Sequence, residues 1–144
     1  MKYKLPVSVL VVVYTAEREV LLLERALHAG YWQSVTGSLD RAEEPLAAAA
    51  AREVLEETGI DAASGRLEAW NVANTFEIYS QWRHRFAPGV THNTEHVFGL
   101  ALPRRVAVSI APAEHVAFAW LPWREAAQRC FSWSNRDAIR MLGE

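Results

Sequence analysis

A chain of 144 residues, 51% hydrophobic and 22% charged, has the composition of a folded globular protein, expected to form one domain over residues 1–144. Its net charge of −2 gives no electrostatic footprint for a nucleic acid polymer or an anionic membrane. A single cysteine, Cys130, cannot form an internal disulfide and fits a reducing cytoplasm; nothing around it suggests activation, so it reads as a small packing residue.

Lys2 and Lys4 precede an apolar run, Val7 to Tyr14. A basic start before an apolar segment is the outline of a signal peptide, but VSVLVVVY is too short to span a bilayer and is dominated by β-branched residues. It reads as a buried strand. No other segment is long and apolar enough to be transmembrane, and no repeat, linker or protein-partner motif stands out. The polar turn Thr15 to Glu19 leads to a second strand, Val20 to Glu24, as a hairpin. Arg25 follows, by itself an ordinary surface charge. Tyr31 to Gly37 is a short strand closing in a glycine whose backbone freedom lets the chain turn toward a helix.

That helix is announced by Ala47 to Ala51, with Pro45 suited to its first turn and Gly59 to its C-cap. Glu53, Glu56 and Glu57 stand at i, i+3 and i+4, which places them on one face with Cβ atoms about 5–6 Å apart. Glu53 and Glu57 are stacked like charges, a cost of roughly a few tenths of a kcal/mol in an isolated helix. One turn on lies Asp61, which cannot neutralise them; Arg52 can reach Glu56. A glutamate-rich helix face is ordinarily just solvated, yet hard oxygen ligands spaced this way also suit Mg²⁺ or Mn²⁺.

Strand signals continue at Leu67 to Val72, Thr75 to Tyr79, Glu95 to Leu102 and Val116 to Leu121. Between them the basic, aromatic stretch Trp82 to Thr91 turns at Pro88-Gly89. Its Arg83, His84 and Arg85 could hold phosphates or simply form an exposed basic loop. Glu114 sits in a polar break beside Ala113 and His115. The chain closes with two helical patterns, Pro122 to Arg129 and Ser134 to Leu142, the second with Ser134 as its cap. Mixed strands with a central and a C-terminal helix predict an α/β sandwich; periodicity leaves the topology open.

The stretch Arg52-Glu53-Val54-Leu55-Glu56-Glu57-Thr58-Gly59-Ile60, with Gly37 ahead of it, resembles the signature of the Nudix hydrolases. Counting back from Arg52 places the first signature glutamate at Glu44, whereas counting forward from Gly37 places it at Glu43. The chain has one residue more than the pattern here, and a loop absorbs an insertion more easily than a helix, which favours Glu44. The resemblance implies an α/β/α sandwich with a mixed β-sheet and a Mg²⁺-dependent hydrolase, with Mn²⁺ as the substitute.

Outside the signature, further segments resemble the branch of that superfamily that cleaves dihydroneopterin triphosphate in folate synthesis, over nearly the whole chain. These are Pro6-Val7-Ser8, Trp32 to Ser38, Phe76-Glu77-Ile78, Arg83 to Thr91, Asn93-Thr94-Glu95 and Ser132 to Arg136. A slightly longer stretch between Pro103 and Glu114 departs from it. The resemblance implies Arg52, Glu53, Glu56 and Glu57 as the catalytic set. Glu53 and Glu57 would hold the metal, with Glu56 a further ligand or the base and Glu114 an extra carboxylate from outside the helix. It places Lys4, Arg25, Thr36, Phe76, Glu77, Ile78, Tyr79 and Ser132 around a small-molecule triphosphate. Read without the family, Glu114 is a solvated loop residue, and Phe76 and Tyr79 suit a core as readily as a stacking surface.

The implied products are dihydroneopterin monophosphate and pyrophosphate; the base and the phosphorus attacked stay open. Two other functions compete. One is a less selective nucleoside triphosphate pyrophosphohydrolase, since pterin and guanine share a fused pyrimidinone. The other is a non-catalytic Nudix binding module, against which stands the intact Arg52, Glu53, Glu56, Glu57 and Gly59.

Overall fold

The computed structural model describes residues 2–143. Its sheet is built outward from β1 (Val7–Thr15), whose Val9 to Val13 are fully buried. A strand covered on both faces reads as a continuous apolar run, which is why VSVLVVV shows no alternation. Along one edge β1 runs parallel to β6 (His92–Leu102), in unbroken register from Val7 opposite Thr94 to Thr15 opposite Leu102. β6 in turn pairs antiparallel with β5 (Arg66–Glu77).

On its other edge β1 meets β2 (Glu19–Arg25) only next to their turn, at Tyr14 opposite Val20. Beyond that pair the two strands part. β2 carries β7 (His115–Pro122) along one side and the short β3 (Trp32–Gln33) on the other, while β4 (Val35–Ser38) pairs with β1. Residues 32–38 therefore bridge two diverging wings of one mixed, seven-stranded sheet.

Helices cover both faces. Val9, Val11 and Val13 pack with Phe98 and Leu100 beneath Ala49, Ala50 and Val54 of α1 (Leu46–Thr58). Leu10, Val12 and Val97 face the other way, beneath Ala126 and Ala127 of α2 (Trp123–Arg129) and Ala138 and Ile139 of α3 (Trp133–Arg140). Strand alternation assigns these two layers, and the result is the expected α/β/α sandwich with a mixed sheet.

Several local expectations change. Pro45 is the extended N-cap residue of α1 rather than part of its first turn. Gly59 ends that helix as expected, at φ 73° with its N–H donating to the Leu55 carbonyl. The two strands expected at 67–72 and 75–79 are one strand, Arg66–Glu77, interrupted by an irregularity between Ala69 and Ala73 where Asn71 takes φ 59°. Asparagine tolerates that conformation, and the continuous partner β6 carries the ladder past it. α3 begins one residue early because Ser132, not Ser134, caps it by accepting from the Asn135 backbone N–H; Ser134 lies buried within the first turn. The basic stretch Ser80–Arg85 winds as 3₁₀ turns, so Tyr79 lies outside any strand.

Candidate active site

α1 presents its glutamates where the two wings part. Gly37 lies opposite, paired with Val9 in β4. Its φ is not in the left-handed region, so the expected turning role is replaced by another. A Cβ at Gly37 would stand 1.8 Å from Glu53 Oε2: the carboxylate occupies the space that any side chain would take.

Arg52 organises the near end of the helix. Its Nε and Nη2 donate to the two oxygens of Glu44 at 3.0 and 3.1 Å, and Nη2 also donates to the Ser38 carbonyl at 3.2 Å. Its Nη1 reaches Glu53 and Glu56, each at 3.4 Å. Glu44 further accepts from the Asp40 backbone N–H at 2.8 Å, and its carboxyl is held below the usual range by the Arg52 hydrogen bonds first, then by that N–H. Glu43 is exposed and pairs with Arg41 at 3.1 Å. The helix register thus identifies Glu44 as the glutamate joined to Arg52, and the extra residue lies in the loop.

Glu53 and Glu57 are buried in the opposite electrostatic condition. Burial pushes Glu53 up to about 7, with Arg52 pulling down and Glu56 and Glu114 adding to the rise. Glu57 is pushed well above the carboxylate range by burial first, then by Glu53 and Glu114. Its Oε1 is buried with no hydrogen-bond partner. Nε2 of His115 stands 3.9 Å away, and burial lowers that imidazole's pKa, which favours its neutral form. Two like-charged carboxylates with an orphaned oxygen are short of a cation. The donors are all hard oxygens, which fits Mg²⁺ or Mn²⁺. Among the described residues no three His, Cys, Asp or Glu side chains form a ready-made metal cluster. A Mg²⁺ ion takes few carboxylates and completes its shell with water and phosphate oxygens, so this sparse arrangement still suits it.

A cleft of about 710 Å³ opens between the wings. Lys4, Arg25, Thr36, Phe76, Glu77, Ile78, Tyr79 and Ser132 all line it, together with Glu57 and Glu114. A neighbouring groove holds Arg52, Glu53 and Glu56 and shares Lys4, Thr36, Gly37, Glu57 and Glu114 with the cleft. Every residue that the resemblance placed in the catalytic, metal or substrate sets therefore borders one of these two adjoining depressions.

The individual settings differ. Arg25 donates to Gln33 Oε1 at 3.2 Å and stacks 4.6 Å over Trp82, while Gln33 donates to Thr36 Oγ1 at 3.2 Å. Desolvation, then the Arg85 charge, lowers the Lys4 ammonium. Phe76 meets Trp133 edge-on at 6.3 Å, and Tyr79 packs against Trp82 and Phe131 at 5.2 and 6.2 Å. Neither belongs to the two core layers; both face the cleft. Glu77 is exposed and paired with Arg83, Ile78 is buried, and Ser132 Oγ accepts from Asn135 Nδ2 at 2.7 Å. Of the basic triplet, Arg83 and Arg85 line the cleft and the exposed His84 does not.

Trp82, Phe131 and Trp133 supply much of the aromatic lining; Trp82 and Trp133 lie in segments the sequence singled out but with no site role assigned, and Phe131 had no signal. Asn93 and Glu95 also line the cleft. Their signal was readable: two polar residues at period two entering an apolar strand. The buried Ser34 N–H donates to Asn135 Oδ1 at 2.8 Å, which ties the bridging segment to α3.

The NUDIX domain family model matches residues 4–142. The chain is 47% identical to the dihydroneopterin triphosphate diphosphatase of Escherichia coli K12, over 97% of this chain and 93% of that one. Identity to the protein of the same name from Haemophilus influenzae is 36%, over 97% and 89%. The solved structure of the E. coli dihydroneopterin triphosphate pyrophosphohydrolase superposes with a TM-score of 0.90 at 46% identity, covering 99% of this chain and 97% of that one. An intact signature helix, the sandwich that carries it and these likenesses along almost the full length agree: the chain belongs to the Nudix family of hydrolases.

Proposed function

We propose that this Nudix hydrolase cleaves dihydroneopterin triphosphate to dihydroneopterin monophosphate and pyrophosphate, with Mg²⁺ as its cofactor and Mn²⁺ as a substitute, as one domain working in the cytoplasm. The observation that carries the reading is the continuity of two settings in one depression. A cation-deficient pair, Glu53 and Glu57, adjoins a cleft with cations at Lys4 and Arg25 and aromatic walls. Relatives bearing that activity in their names are 36–47% identical over 97% of this chain, which supports the reading.

In this reading Glu53 and Glu57 hold the divalent ion, with Glu56 and Glu114 beside them. The ion supplies neutralisation of phosphate oxygens and acidification of water when bound. Arg52 fixes the orientation of Glu53 and Glu56 through the Nη1 contacts while Glu44 anchors Arg52 itself. A carboxylate of the Glu53, Glu56, Glu57 and Glu114 set takes the proton of the attacking water. Lys4 and Arg25 pair with phosphate charge, the Thr36 and Ser132 hydroxyls hydrogen-bond, and the Phe76 to Tyr79 segment flanks the ring.

The test is steady-state hydrolysis with Mg²⁺ of dihydroneopterin triphosphate and the four deoxynucleoside triphosphates in parallel, following pyrophosphate. A clear advantage in kcat/KM for the pterin is expected. Equal or better nucleotide turnover would overturn the pterin assignment and leave a nucleoside triphosphate pyrophosphohydrolase; no turnover of any would point to another diphosphate substrate or to a binding module.

A further inference from the structure

The face of the sheet that packs beneath α2 and α3 is apolar at Leu10, Val12 and Val97. One residue pair further along both strands it turns polar. Ser8 of β1 and Glu95 of β6 stand in register, and Asn93 lies two residues from Glu95 on the same face. These three residues are only 6, 5 and 7% exposed, yet all three line the cleft. They form a buried polar floor in the same cleft as its aromatic walls.

That floor has unmet hydrogen-bonding capacity of one kind. Asn93 Nδ2 donates to Ser8 Oγ at 2.8 Å, which leaves its Oδ1 without a partner. Glu95 Oε1 is likewise buried and unpartnered. Both orphans are acceptors, and buried acceptors left unpaired are costly. Burial holds the Glu95 carboxyl up at about 7; the Ser134 hydroxyl, from α3 above it, pulls the other way, and no cation acts on it. An incoming phosphate cannot satisfy such a floor, since it brings acceptors to acceptors. A flat ring carrying adjacent N–H groups can, and the aromatic rings of Phe76 and Trp133 line the same chamber.

We propose that Glu95 and Asn93 are specificity-determining residues that accept hydrogen bonds from the N–H edge of a 2-amino-4-oxopyrimidine ring, the edge common to pterins and guanine. The proposal rests on the reading that the cleft takes a triphosphate of such a ring, and it assigns ring recognition to the floor rather than to the Phe76 to Tyr79 segment. The 2-amino group would meet Glu95 Oε1, and its neighbouring ring N–H would meet Asn93 Oδ1. A ring lacking the 2-amino group leaves one of them unpaired, and a site built to hydrogen-bond a group rejects the analogue without it.

dGTP and dITP differ only by that amino group, so they serve as the probe pair. Binding of each is measured by titration calorimetry with Ca²⁺ in place of Mg²⁺, for the unaltered protein, Glu95→Met and Asn93→Asp. Glu95→Met has nearly the same volume and removes both carboxylate oxygens of that residue, while Asn93→Asp retains an acceptor at position 93. The expected result is a preference of roughly 10- to 100-fold for dGTP in the unaltered protein. Glu95→Met should abolish it with an unlowered thermal midpoint, and Asn93→Asp should retain it. Equal affinities for dGTP and dITP in the unaltered protein, no binding of dGTP, or a preference that survives Glu95→Met would each overturn the proposal. Turnover of dihydroneopterin triphosphate by the unaltered protein, measured separately, judges the pterin reading, so a nucleotide enzyme with an intact dGTP preference would sink that reading and keep this one.

Discussion

Glu44 and Glu57 are both buried glutamates at the edges of the same helix, and they live in opposite worlds. Glu44 has both oxygens on Arg52 and one on a backbone N–H, and its carboxyl is held below the ordinary range. Glu57 has an oxygen with no partner, two neighbouring carboxylates and a pKa driven upward. One is satisfied by the chain itself. The other is satisfied only by something the chain does not contain, which separates a glutamate that builds the fold from one kept for chemistry.

The sharpest way to break this contrast is Glu57→Gln. Turnover is expected to fall by about a thousandfold, while the unfolding midpoint of the metal-free protein does not drop, because a neutral amide of nearly the same shape removes a charge that burial and the Glu53 and Glu114 carboxylates disfavour. A loss of stability matching the loss of activity would refute it. Gly37→Ala comes next. Its methyl would intrude on the Glu53 carboxylate, and an ångström-scale displacement there should cost about a hundredfold in kcat with the fold retained, as judged by circular dichroism.

Glu44→Gln should act on the other half of the comparison, lowering the thermal midpoint by roughly 2–8 °C through loss of the charged pair with Arg52. Its effect on kcat should be far smaller than that of Glu57→Gln. The smallest effect is a pH trend. Glu53, at about 7, and Glu57 are raised above the ordinary carboxylate value, so their burial costs nothing at low pH, where folded and unfolded chains both carry the proton. As pH rises from the ordinary carboxylate range toward about 7, the unfolded chain has already given up protons that the fold retains, so metal-free stability should fall over that window and level off above it for Glu53; Glu95 contributes with the same sign. Mg²⁺ should reverse the slope, because it binds the deprotonated pair. Thermal midpoints in chelator and in Mg²⁺, from pH 5.5 to 8, check both signs.

What could be read in advance divides along similar lines. The helix bounds, the Arg52 to Glu56 contact and the choice of Glu44 over Glu43 all depend on spacing within one turn or two, which sequence states directly. The role of Gly37 was misread: a turn was expected, and the real constraint is a carboxylate arriving from another element. Ser134 looked like the cap because it precedes the apolar pattern, but Ser132 is the residue whose side chain reaches a free N–H. Trp82 meets Phe131, and Phe76 meets Trp133, across long sequence separations, and no local pattern encodes such meetings. Asn93 and Glu95 were visible as polar residues entering an apolar strand, yet without the register against Ser8 they had no shared face.

One hydrogen bond noted above has mechanical weight. The Ser34 N–H is anchored to Asn135 in the first turn of α3, and Ser34 sits three residues before Gly37 in the segment spanning the split. The chamber wall at α3 and the backing of Glu53 are thus fastened to one short cross-tie. The two halves of the depression are thereby joined by a path one hydrogen bond and a few residues long.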